Sequence, residues 1–240
     1  MLHNNSVNEV VISNKRNIFI KEEQFLLGDI MTDNRIDLSL YPRWSDSCIW
    51  RPQNDGLFVV RITERAGEQA EQSDAVFHTV EHIILNREGK ETWMLCTGEH
   101  TIDTIVKTLQ EEYEEDEQAI QEDVVEMISR TAEENYISLE QSPRKADRGM
   151  DGTACPKRKD DVVANTVEDN FVIMNMKTSE IHSFDQPIEN LWDICDGTHT
   201  VGEILSTAAN TDETQFLLEF LLKLDLLELK DEKIQGNEVI

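Results

Sequence analysis

Apolar and polar residues follow a period close to two between residues 44 and 85. Short apolar runs are separated there by polar turns such as Asn54-Asp-Gly56, a pattern that predicts β-strands and hairpins. The runs with strand character are 48–50, 57–62, 75–80 and 82–85. Residues 65–73 are polar and predict a loop between two of these strands.

The period then lengthens to that of helices. A helix over 88–97 is predicted to end at Gly98, a residue suited to the left-handed position that follows many helices. Thr101 is the predicted N-cap of a second helix over 102–112. A third helix is predicted over 117–133, with an apolar face, and a strand over 136–139 follows it.

The same order of elements returns later in the chain. Strands are predicted over 162–167, 171–176 and 180–184. Pro187 suits the first turn of a helix that ends at Gly197. Thr200 and Glu203 have the spacing of a capping box at the start of a helix over 201–209. A helix over 212–224 and a strand over 226–229 complete this second copy.

The second copy is also visible as a sequence repeat. Residues 81–109 align with 180–208 without a gap, and Trp93-Met-Leu-Cys-Thr-Gly-Glu-His-Thr101 falls on Trp192-Asp-Ile-Cys-Asp-Gly-Thr-His-Thr200. A repeat of this length predicts a duplicated domain, because solenoid repeats are much shorter. The predicted fold class is therefore α+β, with two winged-helix-like units, each a three-stranded antiparallel sheet followed by three helices.

This interpretation divides the chain into five segments. The predicted segments are an N-terminal arm over 1–43, a first domain over 44–140, a linker over 141–160, a second domain over 161–230 and a frayed tail over 231–240. The linker is rich in Gly, Pro and basic residues. The arm is expected either to pack on the first domain or to dock a partner.

The charge of the chain limits its partners. Asp and Glu number 49 and Lys and Arg 22, so the formal net charge is −27 over 240 residues. Such a chain repels nucleic-acid phosphates and anionic membranes, so we expect neither as a partner. No secretory signal or membrane-spanning run is apparent, which favours the cytoplasm. The four cysteines are widely spaced, which favours free thiols.

The sequence offers residues for two candidate chemistries. Cys96 with His100, and Cys195 with His199, repeat a spacing that would give four soft ligands for zinc. The spacing is not that of common zinc motifs, and both cysteines fall on the same helix face as the tryptophans. Core positions are therefore the better interpretation. No phosphate loop, dinucleotide fingerprint or nucleophile motif occurs, so we expect no enzyme activity and no cofactor.

The repeated motif resembles PqqD-like domains, also called RiPP recognition elements. The first copy matches the family pattern at Leu85-Asn86, Trp93, Leu95, Gly98, Thr101 and Ile105. The second copy matches it at Trp192, Asp196-Gly197, Thr200-Val201 and Glu203-Ile204. The first copy departs by carrying Thr97 in place of the aspartate, and the second carries Phe184-Asp185 where Leu-Asn is frequent.

The resemblance implies a function. Such domains bind the leader of a ribosomally made precursor peptide and present it to a modifying enzyme, often a radical SAM protein. The leader adds as a strand to the third strand of the sheet and packs on the third helix. The residues implied in the first copy are Glu81, His82, Ile83, Ile84, Leu85, Ile120, Val124 and Met127. Those implied in the second copy are Glu180, Ile181, His182, Ser183, Phe184, Phe216, Phe220 and Lys223.

Several alternatives stay open at this point. The two copies can bind two leaders or one long leader, or one copy can serve as a protein-protein scaffold that holds the enzyme or forms a homodimer. A winged-helix transcriptional regulator has a similar order of elements. Its recognition helix needs several basic residues, and the third helices offer only Arg130 and Lys223.

Overall fold

The computed structural model describes residues 36–66, 76–113, 116–146, 149–168, 170–184 and 188–231. These residues form two compact units. The first unit contains the described residues of 36–63 and 80–149, and the second contains those of 64–79 and 150–231. No described helix is both long enough and apolar enough to cross a bilayer.

Among its described residues, the first repeat contains five strands and three helices. Its strands are β1 (Tyr41–Trp44), β2 (Cys48–Gln53), β3 (Gly56–Ala66), β4 (Val76–Leu85) and β5 (Ile137–Glu140). Its helices are α1 (Arg87–Leu95), α2 (Ile102–Glu112) and α3 (Glu117–Glu133). The order in the three-stranded sheet is β2-β3-β4, and β1 pairs antiparallel with β5. A hairpin between β2 and β3 turns at Asn54, which has the positive φ of 54° that such turns require.

The second repeat has the same order of elements. Its strands are β6 (Cys155–Arg158), β7 (Val162–Val167), β8 (Asn170–Asn175), β9 (Ile181–Phe184) and β10 (Leu227–Lys230). Its helices are α4 (Glu189–Ile194), α5 (Val201–Thr207) and α6 (Thr211–Lys223). The three-stranded antiparallel sheet has the order β7-β8-β9, and β6 pairs antiparallel with β10. The fold is therefore α+β with antiparallel sheets, as the sequence predicts.

Several local predictions are confirmed. The bounds of α2, α3 and β7 are those expected, and Thr101 caps α2 by accepting the Thr104 N–H. The predicted capping box is present. The Glu203 N–H donates to the Thr200 hydroxyl oxygen at 3.2 Å, and the Thr200 N–H donates to the Glu203 carboxylate at 2.9 Å. Pro187 and the tail beyond residue 231 lie outside the described residues, as does the arm up to residue 35.

Two short strands were not predicted. β1 begins at Tyr41, inside the range expected to be an arm, and β6 occupies 155–158, inside the range expected to be a linker. Each strand holds the turn that follows the first helix of its repeat. Gly98 donates its N–H to the Pro42 carbonyl at 2.9 Å, and Gly197 donates to the Pro156 carbonyl at 3.0 Å. The first and second repeats thus each extend further toward the N-terminus than the sequence pattern indicates.

The repeated tryptophan motif has a structural role. Trp93 and Cys96 are fully buried, and Trp192 and Cys195 are buried at the same places in the second repeat. Gly98 and Gly197 have φ of +80° and +85°, and they lie two residues beyond the C-cap rather than directly after it. A Cβ on Gly98 would meet the Arg144 carbonyl oxygen at 2.0 Å. The motif therefore fixes the turn between the first two helices.

Candidate functional site

Each three-stranded sheet ends in a strand that has one neighbour. β4 pairs with β3 and β9 pairs with β8, and no further strand follows either of them among the described residues. An edge strand presents unpaired backbone N–H and C=O groups, which can pair with an added strand. The two strands that the resemblance singles out are therefore both edge strands.

The edge at β4 lies against the core that α3 completes. Ile83 and Leu85 are half-buried and pack on the same core cluster as Ile120 and Val124 of α3. Ile84, between them, is 63% exposed because neighbouring residues of a strand point to opposite faces. This edge thus combines open backbone groups with apolar side chains on both sides.

One polar contact crosses this sheet near the edge. Glu81 of β4 forms an ion pair with Arg61 of β3, whose guanidinium lies 5.3 Å from the centre of the Tyr136 ring. Burial, with a smaller contribution from the Glu81 charge, raises the pKa of Tyr136 above its ordinary value. Glu81 is therefore accommodated inside a long strand by a partner on the neighbouring strand.

The predicted residues of the first edge are accessible to different degrees. Glu81 and Ile84 are exposed. The half-buried residues are His82, Ile83, Leu85 and Met127. Ile120 and Val124 are buried in the core. The structure brings Ile83 and Leu85 to the same core as Ile120, Val124 and Met127. The most accessible predicted residues are Glu81 and Ile84.

The predicted residues of the second edge are mostly buried. The buried members are Glu180, His182, Phe184, Phe216 and Phe220. Ile181 is exposed at 44%, and Ser183 and Lys223 are half-buried. Phe184 of β9 packs edge-on against Phe220 with ring centres 6.3 Å apart, and Phe216 stacks on Phe220 at 5.9 Å. Aromatic packing thus joins β9 to α6.

The two third helices correspond through the turn that follows them. Asn135 and Asp225 have φ of 61° and 59°, and the next residue of each donates its N–H back into the helix. When the two helices are aligned by Asn135 and Asp225, Glu126 of α3 corresponds to Phe216 of α6, and Arg130 corresponds to Phe220. The helix face that carries the phenylalanines in the second repeat is therefore charged in the first.

A buried polar contact lies just before β9. The Glu180 carboxylate accepts the backbone N–H of His78 at 2.7 Å and faces the His78 Nδ1 at 3.0 Å. Both side chains are less than 5% exposed. His78 belongs to β4, but residues 64–79 are part of the same compact unit as Glu180. The two residues are 102 positions apart, and no pattern in the sequence indicates the contact.

His182 stands close to this contact. Burial lowers the pKa of His182 to about 4, so its ring is neutral at pH 7. Burial by itself would raise the pKa of Glu180, but the hydrogen bonds from His78 lower it below its ordinary value. Glu180 is therefore a buried carboxylate that keeps its charge because His78 solvates it.

The cysteines offer no accessible thiolate. Cys96 and Cys195 are fully buried, and burial raises the pKa of Cys195 to about 12 and that of Cys96 further. His100 and His199 are exposed on the turns that follow. In the part of the chain that the structure describes, no three His, Cys, Asp or Glu side chains form a group able to hold a metal ion.

Comparisons with known proteins find a family model that matches part of the chain, and a similar solved structure. Residues 76–137 match the family described as coenzyme PQQ synthesis protein D (PqqD). The chain is also similar to a solved structure, "TbiB1 in Complex with the TbiA(beta) Leader Peptide", with 17% sequence identity and a TM-score of 0.29. That similarity covers 40% of this chain and 94% of the other. No curated protein matches the chain.

Proposed function

We propose that this chain is a non-catalytic peptide-binding protein that captures the leader of a ribosomally made precursor peptide. The leader adds as a strand to the edge at β4 and packs beside α3. The bound precursor is then presented to a modifying enzyme, for which a radical SAM protein is the proposed class. In this proposal the chain contains two PqqD-like domains in tandem.

The open edge at β4 is the observation that carries the proposal. Main-chain hydrogen bonds along an edge strand bind an extended peptide whatever its sequence, and side-chain pockets add selectivity. The second half of β4, residues 80–85, offers an edge strand that includes the exposed Ile84. The apolar residues that flank Ile84 belong to the core that α3 shares.

The family match also supports the edge at β4 as the proposed binding site. The matched residues, 76–137, begin with the first residue of β4 and end at the first residue of β5. They therefore contain the proposed edge, all three helices of the first repeat and the proposed helix face. The second repeat lies outside the match, and its role as a second PqqD-like domain rests on the repeated motif and the repeated order of elements.

Calorimetric titration with the precursor peptide encoded beside this chain tests the proposal. We expect binding with a dissociation constant of about 10 µM or tighter. Absence of heat, and of any competition with a labelled leader, at several times that concentration would contradict it.

A pair of exposed strand residues provides the variant and its control. Ile84→Asp places a charge beside the proposed leader and is expected to weaken binding about tenfold or more through lost apolar burial. Val163→Asp changes a residue of similar exposure, 51%, in β7 and is expected to leave binding within about twofold. Equal losses of peptide affinity in the two variants would contradict the proposal that β4 is the binding edge.

A further inference from the structure

We propose that Glu180 is a positioning residue for the peptide-binding edge of the first repeat, because it holds the first half of β4 through His78. This inference rests on the proposed function. The same strand then has two tasks. Its first half, 76–79, is anchored in the unit that contains Glu180, and its second half, 80–85, is the edge to which the leader adds.

The contact has the geometry of an anchor. One carboxylate receives two donors from a single residue, a backbone N–H at 2.7 Å and a ring nitrogen at 3.0 Å. A backbone donor fixes the position of the strand itself, not only of a side chain. The two side chains are 3% and 4% exposed, so both bonds are shielded from water.

A third titratable side chain acts on the pair. His182 is the third titratable side chain that acts on both members, and burial keeps it neutral at pH 7. Charge-assisted hydrogen bonds to a carboxylate are among the stronger polar contacts in proteins. Separation of His78 from Glu180 would leave an ionised carboxylate buried, which is strongly unfavourable.

The anchor and the edge are joined by one continuous strand. β4 runs from Val76 to Leu85 without a break, and its residues change from one compact unit to the other between Thr79 and Val80. His78 and Ile84 are roughly 20 Å apart along an extended chain. A leader that pairs with residues 80–85 orders the same strand that Glu180 orders from the other end. Binding and anchoring must therefore favour each other to the same extent.

Hydrogen exchange of the full chain tests the anchor without any peptide. Glu180→Ala is expected to raise amide exchange in 76–85 by about tenfold or more, with exchange in α2 unchanged. Glu189→Ala is the matched control, since Glu189 is an exposed carboxylate of the same unit that bonds Thr166 at 2.7 Å. His78→Phe keeps the ring bulk and the backbone donor and is expected to give a smaller rise. If Glu180→Ala unfolds the chain, His78→Phe decides the same question.

Titration with the precursor peptide tests the coupling. Glu180→Ala is expected to weaken binding by about fivefold or more, and the peptide is expected to slow exchange at 76–79 in the unaltered chain. Unchanged affinity in Glu180→Ala, with clear binding to the unaltered chain, would overturn the inference. Failure of the unaltered chain to bind would instead overturn the proposed function. The exchange rates of 76–85 would then still decide whether Glu180 positions β4.

Discussion

The third helices of the two repeats end at the same kind of turn but have different surroundings. In α3 the buried residues recur on one face, and Gln121, Glu122, Asp123 and Glu126 are exposed. In α6 six consecutive residues, 216–221, are buried, including Glu219, which accepts a hydrogen bond from Gln215 at 2.8 Å. A helix that is buried on all sides is a core element, whereas an amphipathic helix has a face left for water or a partner.

The corresponding strand and helix positions carry different side chains in the two repeats. The phenylalanines of α6 fill the space against β9, where α3 has Glu126 and Arg130 and β4 has Leu85 in place of Phe184. The second repeat therefore uses its strand-helix face for internal packing. We accordingly propose the first edge as the one that takes a leader.

The largest expected effect compares the two helices at corresponding positions. Phe220→Ala removes a ring that is 2% exposed and should lower the free energy of unfolding by about 3–5 kcal/mol. Arg130→Ala, at the corresponding position of α3, should cost no more than about 1 kcal/mol. Urea unfolding followed by circular dichroism measures both. Similar losses for the two variants would remove the proposed distinction between the helices.

The next effect concerns pH. The pKa of His182 is about 4 in the folded chain and about 6.5 when unfolded, so the unfolded state binds the proton first. Stability should therefore fall as the pH drops from 6.5 to 4, by on the order of 2–3 kcal/mol. Ile83 occupies the corresponding place in β4 and does not titrate, so the first repeat has no such pH-dependent contribution at this position.

The variant His182→Phe isolates this contribution. It should flatten the pH dependence of unfolding between pH 6.5 and 5, above the range in which most carboxylates titrate. Thermal unfolding measured across that range provides the comparison. A variant that loses as much stability as the unaltered chain over the same range would show that another group is responsible.

The smallest effect compares two helix caps. Thr200 belongs to a reciprocal capping box with Glu203, whereas Thr101 caps α2 without a glutamate at the corresponding place, which is Thr104. Thr200→Ala should cost about 1 kcal/mol and Thr101→Ala a few tenths less. Urea unfolding resolves the difference when the two variants are measured together. A larger loss of unfolding free energy for Thr101→Ala than for Thr200→Ala would contradict the view that the capping box makes Thr200 the stronger cap.

The helices were predictable because local signals agree there. Thr101, Thr200 and Glu203 mark helix starts, and the apolar period gives the bounds of α2 and α3 without correction. β4 was predicted as two runs because Glu81 interrupts its apolar pattern, and the ion pair with Arg61 accommodates Glu81 in the continuous strand. Local sequence carries no information about a partner on another strand.

Other features depend on contacts that no local pattern encodes. β1 and β6 have four residues each, with Pro42 or Pro156 and basic neighbours, so their composition is that of a loop. Their position is set by pairing with β5 and β10 and by the bonds from Gly98 and Gly197. The contact between His78 and Glu180 is likewise a product of tertiary structure alone.

Amide hydrogen exchange of the full chain, measured with and without the precursor peptide, tests the central claim most directly. We expect the peptide to slow exchange in 80–85 of β4 and in α3, because an added strand gives the edge amides new hydrogen-bond partners. Exchange in β9 and α6 should change much less. Protection confined to β9 and α6, or no protection at any strand edge while the peptide is bound, would contradict capture of a leader at the first edge.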